Sequence, residues 1–141
     1  MKITFYLVRH GETLFNHLGR MQGYCDSPLT ELGLQQAQQA SAKLKDIWFD
    51  HIYSSPSERA WNTADIIVKD RGVKPELLSG LHEMSFGRLE GARHTAHAEE
   101  IYACREKMDY SSAGGESPAM MEERIRKTLN HIIDQCVDGD R

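Results

Sequence analysis

The residues at the N-terminus constrain the fold more than any other stretch of this chain. Residues 2–8, Lys-Ile-Thr-Phe-Tyr-Leu-Val, are almost all β-branched, aromatic or aliphatic. A continuous run of this kind is typical of a strand buried on both faces, as in a parallel sheet covered by helices. We therefore predict a central strand here, in a three-layer αβα fold of the α/β class with a mostly parallel sheet.

Arg9, His10 and Gly11 follow this strand directly. Ligands of open α/β sheets bind beyond the carboxyl ends of the strands. A guanidinium grips an oxyanion with a planar fork, and an imidazole can attack or carry protons near neutral pH. Gly11 has no Cβ and so allows the backbone to approach a ligand closely. These residues indicate an anion site, although a solvated strand end has the same sequence.

Length and composition exclude several classes of protein. The 141 residues are enough for one domain with a core, and we expect one domain over residues 1–141. A net charge of -4 gives no basic face for nucleic acid, and no apolar run is long enough to span a membrane. Three widely spaced cysteines without a CxxC pair indicate reduced thiols in a cytoplasmic protein, not a disulfide framework or a zinc site.

The sequence predicts three helices, two of them from apolar residues at steps of three and four and one from the residues that open and end it. The first begins after an N-cap at Thr30, and the second runs from residue 57 to about Lys69 and stops at Gly72, after a short strand at 50–56. The third follows the turn at residues 114–118. The predicted buried stripes are Leu34, Ala37, Ala40, Ser41, Leu44 and Ile47 in the first helix, and Met121, Ile125, Leu129, Ile132, Ile133 and Cys136 in the third.

Two charged residues outside the first motif are candidates for chemistry. Arg59 lies in the first turn of a helix, where the helix dipole disfavours a cation. This placement suggests that Arg59 provides a second positively charged contact to a bound anion. Glu83 is flanked by Leu81, Met84 and Phe86. Apolar surroundings disfavour a charged carboxylate, so Glu83 could hold a proton and act as a general acid. An exposed arginine and a loop-stapling glutamate are the alternatives.

The loop at residues 16–23 offers further donors to a phosphate. Asn16 and Gln22 carry amides and Arg20 carries charge, while their alternative role is to stabilise the loop itself. With Gly11 and Gly23 they form the candidate substrate-binding set. His94 and His97 could share a helix face, but they have no acidic or cysteine partner at ligand spacing, so we expect a solvated face and no metal.

Taken together, these motifs resemble the histidine phosphatase superfamily, which includes cofactor-dependent phosphoglycerate mutase. The resemblance runs through five blocks over nearly the whole chain: Arg9-His10-Gly11-Glu12-Thr13 with Asn16, Gly19-Arg20-Met21-Gln22-Gly23 leading to Asp26-Ser27-Pro28-Leu29-Thr30, Ser54-Ser55-Pro56 through Arg59-Ala60 to Thr63-Ala64, Glu83 through Phe86-Gly87 to Glu90-Gly91, and Gly114-Gly115-Glu116-Ser117.

The resemblance implies that His10 takes a phosphoryl group, that Arg9 and Arg59 neutralise its oxygens, and that Glu83 protonates the leaving oxygen. Water then hydrolyses the phosphohistidine, with no metal and no cofactor. The compact segment after Glu83 is similar to the phosphatase branch, such as the broad-specificity or α-ribazole phosphatases, and its substrate would be a small phosphorylated metabolite. Mutase-type phosphoryl transfer and a non-catalytic phospho-ligand binding module are the alternatives.

One feature departs from the family pattern. Members carry a second active-site histidine on a strand after the last helix, but nothing follows Arg141 here, and His131 lies inside the helix pattern. We therefore expect a truncated chain whose sheet is incomplete at the C-terminus and whose activity is impaired, by ~10²–10³ in rate if one donor to the phosphoryl group is missing. We also expect the broken sheet edge to be covered, either by a second copy of the chain or by a rearranged C-terminal helix.

Overall fold

The computed structural model describes residues 1–141 and shows a helix-rich α/β fold with a small parallel sheet. The elements in chain order are α1 (Leu14–His17), α2 (Glu31–Leu44), β1 (Tyr53–Ser54), α3 (Glu58–Val68), β2 (Glu76–Leu77), α4 (Ala98–Lys107) and α5 (Pro118–Asp134). Three short 3₁₀ turns lie at Ser79–Leu81, Gly87–Leu89 and Ser111–Ala113. β1 and β2 pair in parallel, with Tyr53 opposite Glu76. The predicted α/β class is confirmed.

The helices begin where their capping residues predict. The Thr30 side chain accepts a hydrogen bond from the Gly33 N–H at the start of α2, and Ser117 caps α5 through the Met120 N–H, with Pro118 in the first turn. The stripe predicted for α2 is buried or half-buried throughout, so this prediction is confirmed. The stripe on α5 is buried only at Ile132, and Leu129 is exposed.

The main core lies on one side of the molecule, between the loops and α4. It consists of seven buried residues against which Phe86 and Met121 pack: Met21, Met84, Leu89, Ile101, Cys104, Tyr110 and Ala113. Packing of α2 against α3 buries Ala37 and Val68 separately. None of the helices combines the length and apolar character that a membrane crossing requires.

The predicted central strand at residues 2–8 is not formed, and this prediction was wrong. The segment has no strand assignment, and most of its apolar side chains are exposed, Leu7 by 90%. A strand forms only where its backbone N–H and C=O groups pair with a neighbouring strand on at least one edge. Residues 5–9 have no backbone hydrogen bond to any neighbouring segment, so the apolar run has nothing against which to form a sheet.

An open groove of about 480 Å³, here called the strand groove, separates this segment from β1. Residues 3–10 line one side and residues 51–55 the other. Residues 139–141 close one end, because Thr4 N–H donates to the Asp140 carbonyl (3.0 Å) and Asp50 N–H donates to the Arg141 carbonyl (2.8 Å). His10 also lines the groove, at the end opposite to the one that these hydrogen bonds close.

The expectation that a second copy covers the exposed segment stays a prediction. Residues 5–8 present unpaired backbone and exposed apolar side chains, which is the arrangement that promotes edge-to-edge pairing. We expect Leu7→Lys to shift the chain from dimer to monomer in sedimentation velocity, with Leu32→Lys, an exposed position on α2, as the control. A wild-type chain that sediments as a monomer at every concentration would contradict this expectation.

Candidate active site

His10 lies at the end of the N-terminal segment and is half-buried in the strand groove. Its Nδ1 is 2.7 Å from the carbonyl oxygen of Gly11. A carbonyl can only accept a hydrogen bond, so this contact requires the proton on Nδ1. In the neutral ring Nε2 then carries the lone pair, and no protein group bonds to it. The backbone therefore selects the tautomer that a nucleophilic imidazole needs.

The surroundings of His10 favour its neutral form. Burial lowers the pKa of His10 below its usual 6.5, and the charges of Arg59 and Arg9 lower it further. The hydrogen bond to Gly11 and the carboxylate of Glu83 act in the opposite direction without reversing the shift. The same two arginines that keep the imidazole neutral also supply positive charge for an anion beside it.

We expect the His10 ring to titrate below 6.5 in the folded chain. Its preference for the neutral form stabilises the fold above the unfolded pKa of 6.5, and this contribution is lost as the pH falls through the folded pKa. NMR of the ring nitrogens against pH, compared with the urea-unfolded chain, measures the difference. A folded midpoint at or above the unfolded one would contradict the expected burial effect.

Arg59 is the most deeply buried charged residue, 1% exposed in the first turn of α3. One terminal nitrogen donates to the Cys25 carbonyl and to Asp26 Oδ1 (both 3.0 Å), and the other donates to the Gly23 carbonyl (2.8 Å). Its Nε is buried and has no partner. The structure thus shows a guanidinium that ties loop 23–26 to α3 and lines the groove with His10, while its contact with an anion stays a prediction.

Glu83 lines the same groove, but its environment differs from the one predicted. The side chain is exposed and is not enclosed by the flanking apolar residues, of which only Met84 is buried. The side chains of these two adjacent residues point in different directions, so that Met84 enters the core while Glu83 faces outward. Glu83 Oε1 accepts from the Met84 N–H (2.8 Å). The expected desolvation was wrong, and the role of Glu83 as a general acid stays a prediction for a carboxylate that lines the groove with His10.

The loop that carries Glu83 is held by a buried ion pair that the sequence analysis missed. Arg124 on α5 donates through Nε and one terminal nitrogen to the two carboxylate oxygens of Glu116, each at 2.8 Å. Its other terminal nitrogen donates to the carbonyls of Gly80 (2.8 Å) and His82 (2.9 Å). The Arg124 hydrogen bonds lower the pKa of Glu116, against the effect of burial. Arg124 thereby fixes the backbone on the N-terminal side of Glu83.

We expect Arg124→Ala to lower the free energy of unfolding by about 3–5 kcal/mol, because it leaves the Glu116 carboxylate buried without its partner. Arg126→Ala on the same helix is the matched control. Arg126 pairs with Glu123 on the exposed surface, where the loss should stay below about 1 kcal/mol. Urea denaturation of both variants measures the two values, and equal losses would contradict a structural role for the buried pair.

The polar residues of loop 16–22 are bonded within the loop. Asn16 Oδ1 accepts from the Thr13 N–H (3.0 Å) as part of a capping box at α1. Gln22 Nε2 donates to Thr13 Oγ1 (3.0 Å), and Arg20 donates to the Gly91 carbonyl (2.7 Å) with its guanidinium 5.8 Å from the Phe15 ring centroid. None of the three side chains lines the strand groove, so the structure supports their loop-stabilising alternative. Their contact with substrate stays a prediction.

Gly11 and Gly23 are both required by backbone packing. A Cβ on Gly11 would lie 2.3 Å from the carbonyl oxygen of Gly33 on α2, so the backbone approaches this helix closely here, and contact of Gly11 with substrate stays a prediction. A Cβ on Gly23 would lie 2.1 Å from the Met84 carbonyl oxygen. Gly23 N–H donates to the Glu90 carboxylate (3.0 Å), which also accepts from three other backbone N–H groups, those of Tyr24, Cys25 and Phe86.

Of the remaining residues that the sequence analysis considered, only Arg9 lies in the groove with His10, Arg59 and Glu83. Arg9 is exposed and lines the groove next to His10. His94 and His97 lie in the turns before α4 and not on a shared helix face. His131 is exposed on α5, inside the helix as predicted. The structure therefore brings together His10, Arg9, Arg59 and Glu83, the four residues predicted to act on a phosphoryl group.

Comparison with known proteins gives one consistent result. A family model described as the histidine phosphatase superfamily (branch 1) matches residues 5–140. A probable phosphoglycerate mutase GpmB from Erwinia tasmaniensis is 38% identical over 133 residues, which are 91% of this chain and 62% of the relative. The chain thus spans less than two thirds of the length of such curated relatives.

Solved structures of similar fold include two phosphatases. The α-ribazole phosphatase from Shigella flexneri superposes with a TM-score of 0.79 at 31% identity, over 90% of this chain and 65% of that protein. A mycobacterial glucosyl-3-phosphoglycerate phosphatase, solved as a complex with VO3, superposes with a TM-score of 0.82 at 30% identity, over 89% and 65%. At 30–31% identity, this chain resembles both phosphatases in sequence as well as in fold.

Proposed function

Because the chain belongs to the histidine phosphatase superfamily (branch 1), we propose that it hydrolyses a phosphomonoester through a phosphohistidine at His10. The observation that carries this proposal is the hydrogen bond from Nδ1 to the Gly11 carbonyl. It leaves Nε2 as a neutral nucleophile in the groove, beside Arg9 and Arg59. The activity, the substrate and a cytoplasmic location all belong to this proposal.

In the first step Nε2 of His10 attacks phosphorus and the bond from phosphorus to the ester oxygen breaks. Glu83 gives a proton to the leaving oxygen, which departs as an alcohol. In the second step water attacks the phosphohistidine, Glu83 takes the proton from that water, and inorganic phosphate leaves with His10 restored. Covalent catalysis divides one difficult displacement into two easier ones.

The arginines supply the electrostatic part of the reaction in this proposal. Arg9 and Arg59 neutralise charge on the phosphoryl oxygens in both steps, which is the role that a metal ion has in other phosphatases. Arg59 is fixed by three hydrogen bonds before any substrate binds, so little reorganisation is needed when charge develops. The proposed reaction therefore needs no metal and no cofactor.

The substrate class we propose is a small phosphorylated metabolite. The solved phosphatases named above support hydrolysis, since they share the fold and about 30% of the sequence. Phosphoryl transfer of the mutase type is the second candidate, because curated relatives at 36–38% identity are named as probable phosphoglycerate mutases. The two differ in the acceptor of the phosphoryl group, which is water in one and a second hydroxyl in the other.

Alkaline quench of the chain with p-nitrophenyl phosphate in the presence of EDTA tests this function, because a phosphohistidine survives alkali and is hydrolysed in acid. We expect mass spectrometry to find an acid-labile phosphoryl group on the peptide that contains His10, together with release of inorganic phosphate. Label on His10 that leaves only when a phosphoglycerate acceptor is added would favour the mutase alternative. A folded chain that binds vanadate without labelling would be a non-catalytic binding module and would contradict the proposal.

A further inference from the structure

Three side chains with metal-ligating atoms meet at the closed end of the strand groove, away from His10. They come from two segments: His51 precedes β1, and Cys136 and Asp140 lie four residues apart in the stretch that follows α5. One imidazole nitrogen, the thiol sulfur and a carboxylate oxygen all lie within 4.8 Å of one another. His51 Nε2 and Asp140 Oδ2 are 3.1 Å apart. All three residues are half-buried, and the proposed phosphatase chemistry uses none of them.

The backbone holds these segments together before any ion binds. Asp140 is fixed through its carbonyl by the Thr4 N–H (3.0 Å) and through Oδ2 by the Val137 N–H (2.8 Å). His51 N–H donates to the Arg141 carbonyl (3.3 Å), and the His51 ring stacks on Tyr53 with 10° between the planes. Cys136 is tied to the last turn of α5 by its N–H bond to the Ile133 carbonyl (3.0 Å). Little rearrangement is needed to bring the three atoms onto one ion.

The donor set selects the kind of ion. A thiolate, an imidazole and a carboxylate together suit zinc, whereas magnesium and calcium prefer oxygen ligands throughout. Bonds of about 2.0–2.3 Å in a tetrahedral site place ligand atoms roughly 3.3–3.8 Å apart. This spacing falls between the 3.1 Å contact and the 4.8 Å limit of the cluster. We propose that His51, Cys136 and Asp140 bind Zn²⁺, with water in the fourth position; the cysteine spacing did not indicate this site because Cys136 meets His51 only in the folded chain.

Without metal the three groups have weaker contacts that zinc would replace. His51 and Asp140 form a hydrogen-bonded pair, and the Cys136 thiol donates to the Ile132 carbonyl (3.2 Å). Zinc binding displaces the thiol proton, so the affinity should rise with pH. Because His51 is remote in sequence from Cys136 and Asp140, the ion cross-links the stretch after α5 to the segment before β1. A ligand that binds only the folded state raises its stability.

Cobalt(II) and zinc titrations of the chelator-treated, full 141-residue chain test this site. We expect Co²⁺ to give the intense visible bands of tetrahedral coordination with a thiolate charge-transfer band, and Zn²⁺ to displace it and raise Tm. Cys136→Ser should remove the charge-transfer band and weaken binding by about tenfold or more. Asp140→Asn, the gentler second variant, should weaken binding while the fold is retained by circular dichroism.

Two controls separate this site from adventitious binding. Cys25→Ser and the double variant His94→Ala/His97→Ala should leave the cobalt spectrum and the zinc-dependent rise in Tm unchanged. A cobalt spectrum without a thiolate band, or one that Cys136→Ser leaves intact in a folded chain, would overturn the proposal. These measurements do not depend on phosphatase activity, so they test the zinc site independently of the proposed function.

Discussion

The His10→Asn variant is expected to lose phosphomonoester hydrolysis by at least about 10³-fold, since the reaction proposed here has no second nucleophile. Asparagine is close to imidazole in size and can keep a hydrogen bond to the Gly11 carbonyl, but its amide cannot take a phosphoryl group. Release of p-nitrophenol in the presence of EDTA measures the loss. Circular dichroism and Tm should match the wild type, because His10 is only half-buried.

His17→Asn is the matched control for this experiment. His17 is an exposed histidine at the end of α1, away from the strand groove, and its replacement should leave the rate unchanged. Equal rates in the wild type and the His10 variant would show that hydrolysis, if present, uses another nucleophile. The same result together with a phosphorylated His10 would mean that the phosphohistidine forms but lies off the reaction path.

The Arg59→Ala variant is expected to lose both stability and activity. It removes a guanidinium that is 1% exposed, leaves the Gly23 and Cys25 carbonyl oxygens without this donor, and takes the counter-ion from the Asp26 carboxylate. Removal of one partner from such a pair costs about 3–5 kcal/mol. Loss of a fixed cation beside the reacting phosphoryl group should lower the rate by a further ~10²–10³ in molecules that remain folded. Urea denaturation and steady-state kinetics below Tm measure the two effects.

Arg59→Lys separates the two roles of this side chain. Lysine keeps the positive charge but cannot donate from a planar fork to three acceptors at once. We expect part of the activity to return while most of the stability loss remains. Full recovery of both properties would show that a point charge is sufficient and would contradict the role assigned to the Gly23, Cys25 and Asp26 contacts.

The sequence predicted helices well where capping and periodicity agree. α2 begins after Thr30 and buries the predicted stripe because both signals are local. α4 was missed, since its sequence is mostly polar and buries only Ile101 and Cys104. The strand at residues 2–8 was wrongly predicted for a different reason. A strand depends on partners from elsewhere in the chain, and composition alone does not show whether those partners are present.

The residues of the candidate site could be predicted from the sequence, but the contacts that position them could not. The sequence motifs identified His10, Arg9, Arg59 and Glu83, which the structure places around one groove. The contacts that hold them could not be predicted from spacing. Glu116 and Arg124 are eight residues apart and come together only through the turn into α5. Likewise, exposure of Glu83 depends on which of two adjacent residues enters the core, and this is decided by tertiary packing.

The Glu90 carboxylate, which gathers the backbone N–H groups of Gly23, Tyr24 and Cys25, also affects the chemistry of a nearby thiol. Burial, followed by the nearby negative charge of Glu90, raises the pKa of Cys25 to about 11. At pH 7 roughly one such thiol in 10⁴ is then ionised, and only the thiolate reacts readily with peroxide or alkylating agents. We therefore expect the Cys25 thiol to react slowly with oxidants, first because it is partly buried and second because the carboxylate that fixes the loop lies beside it.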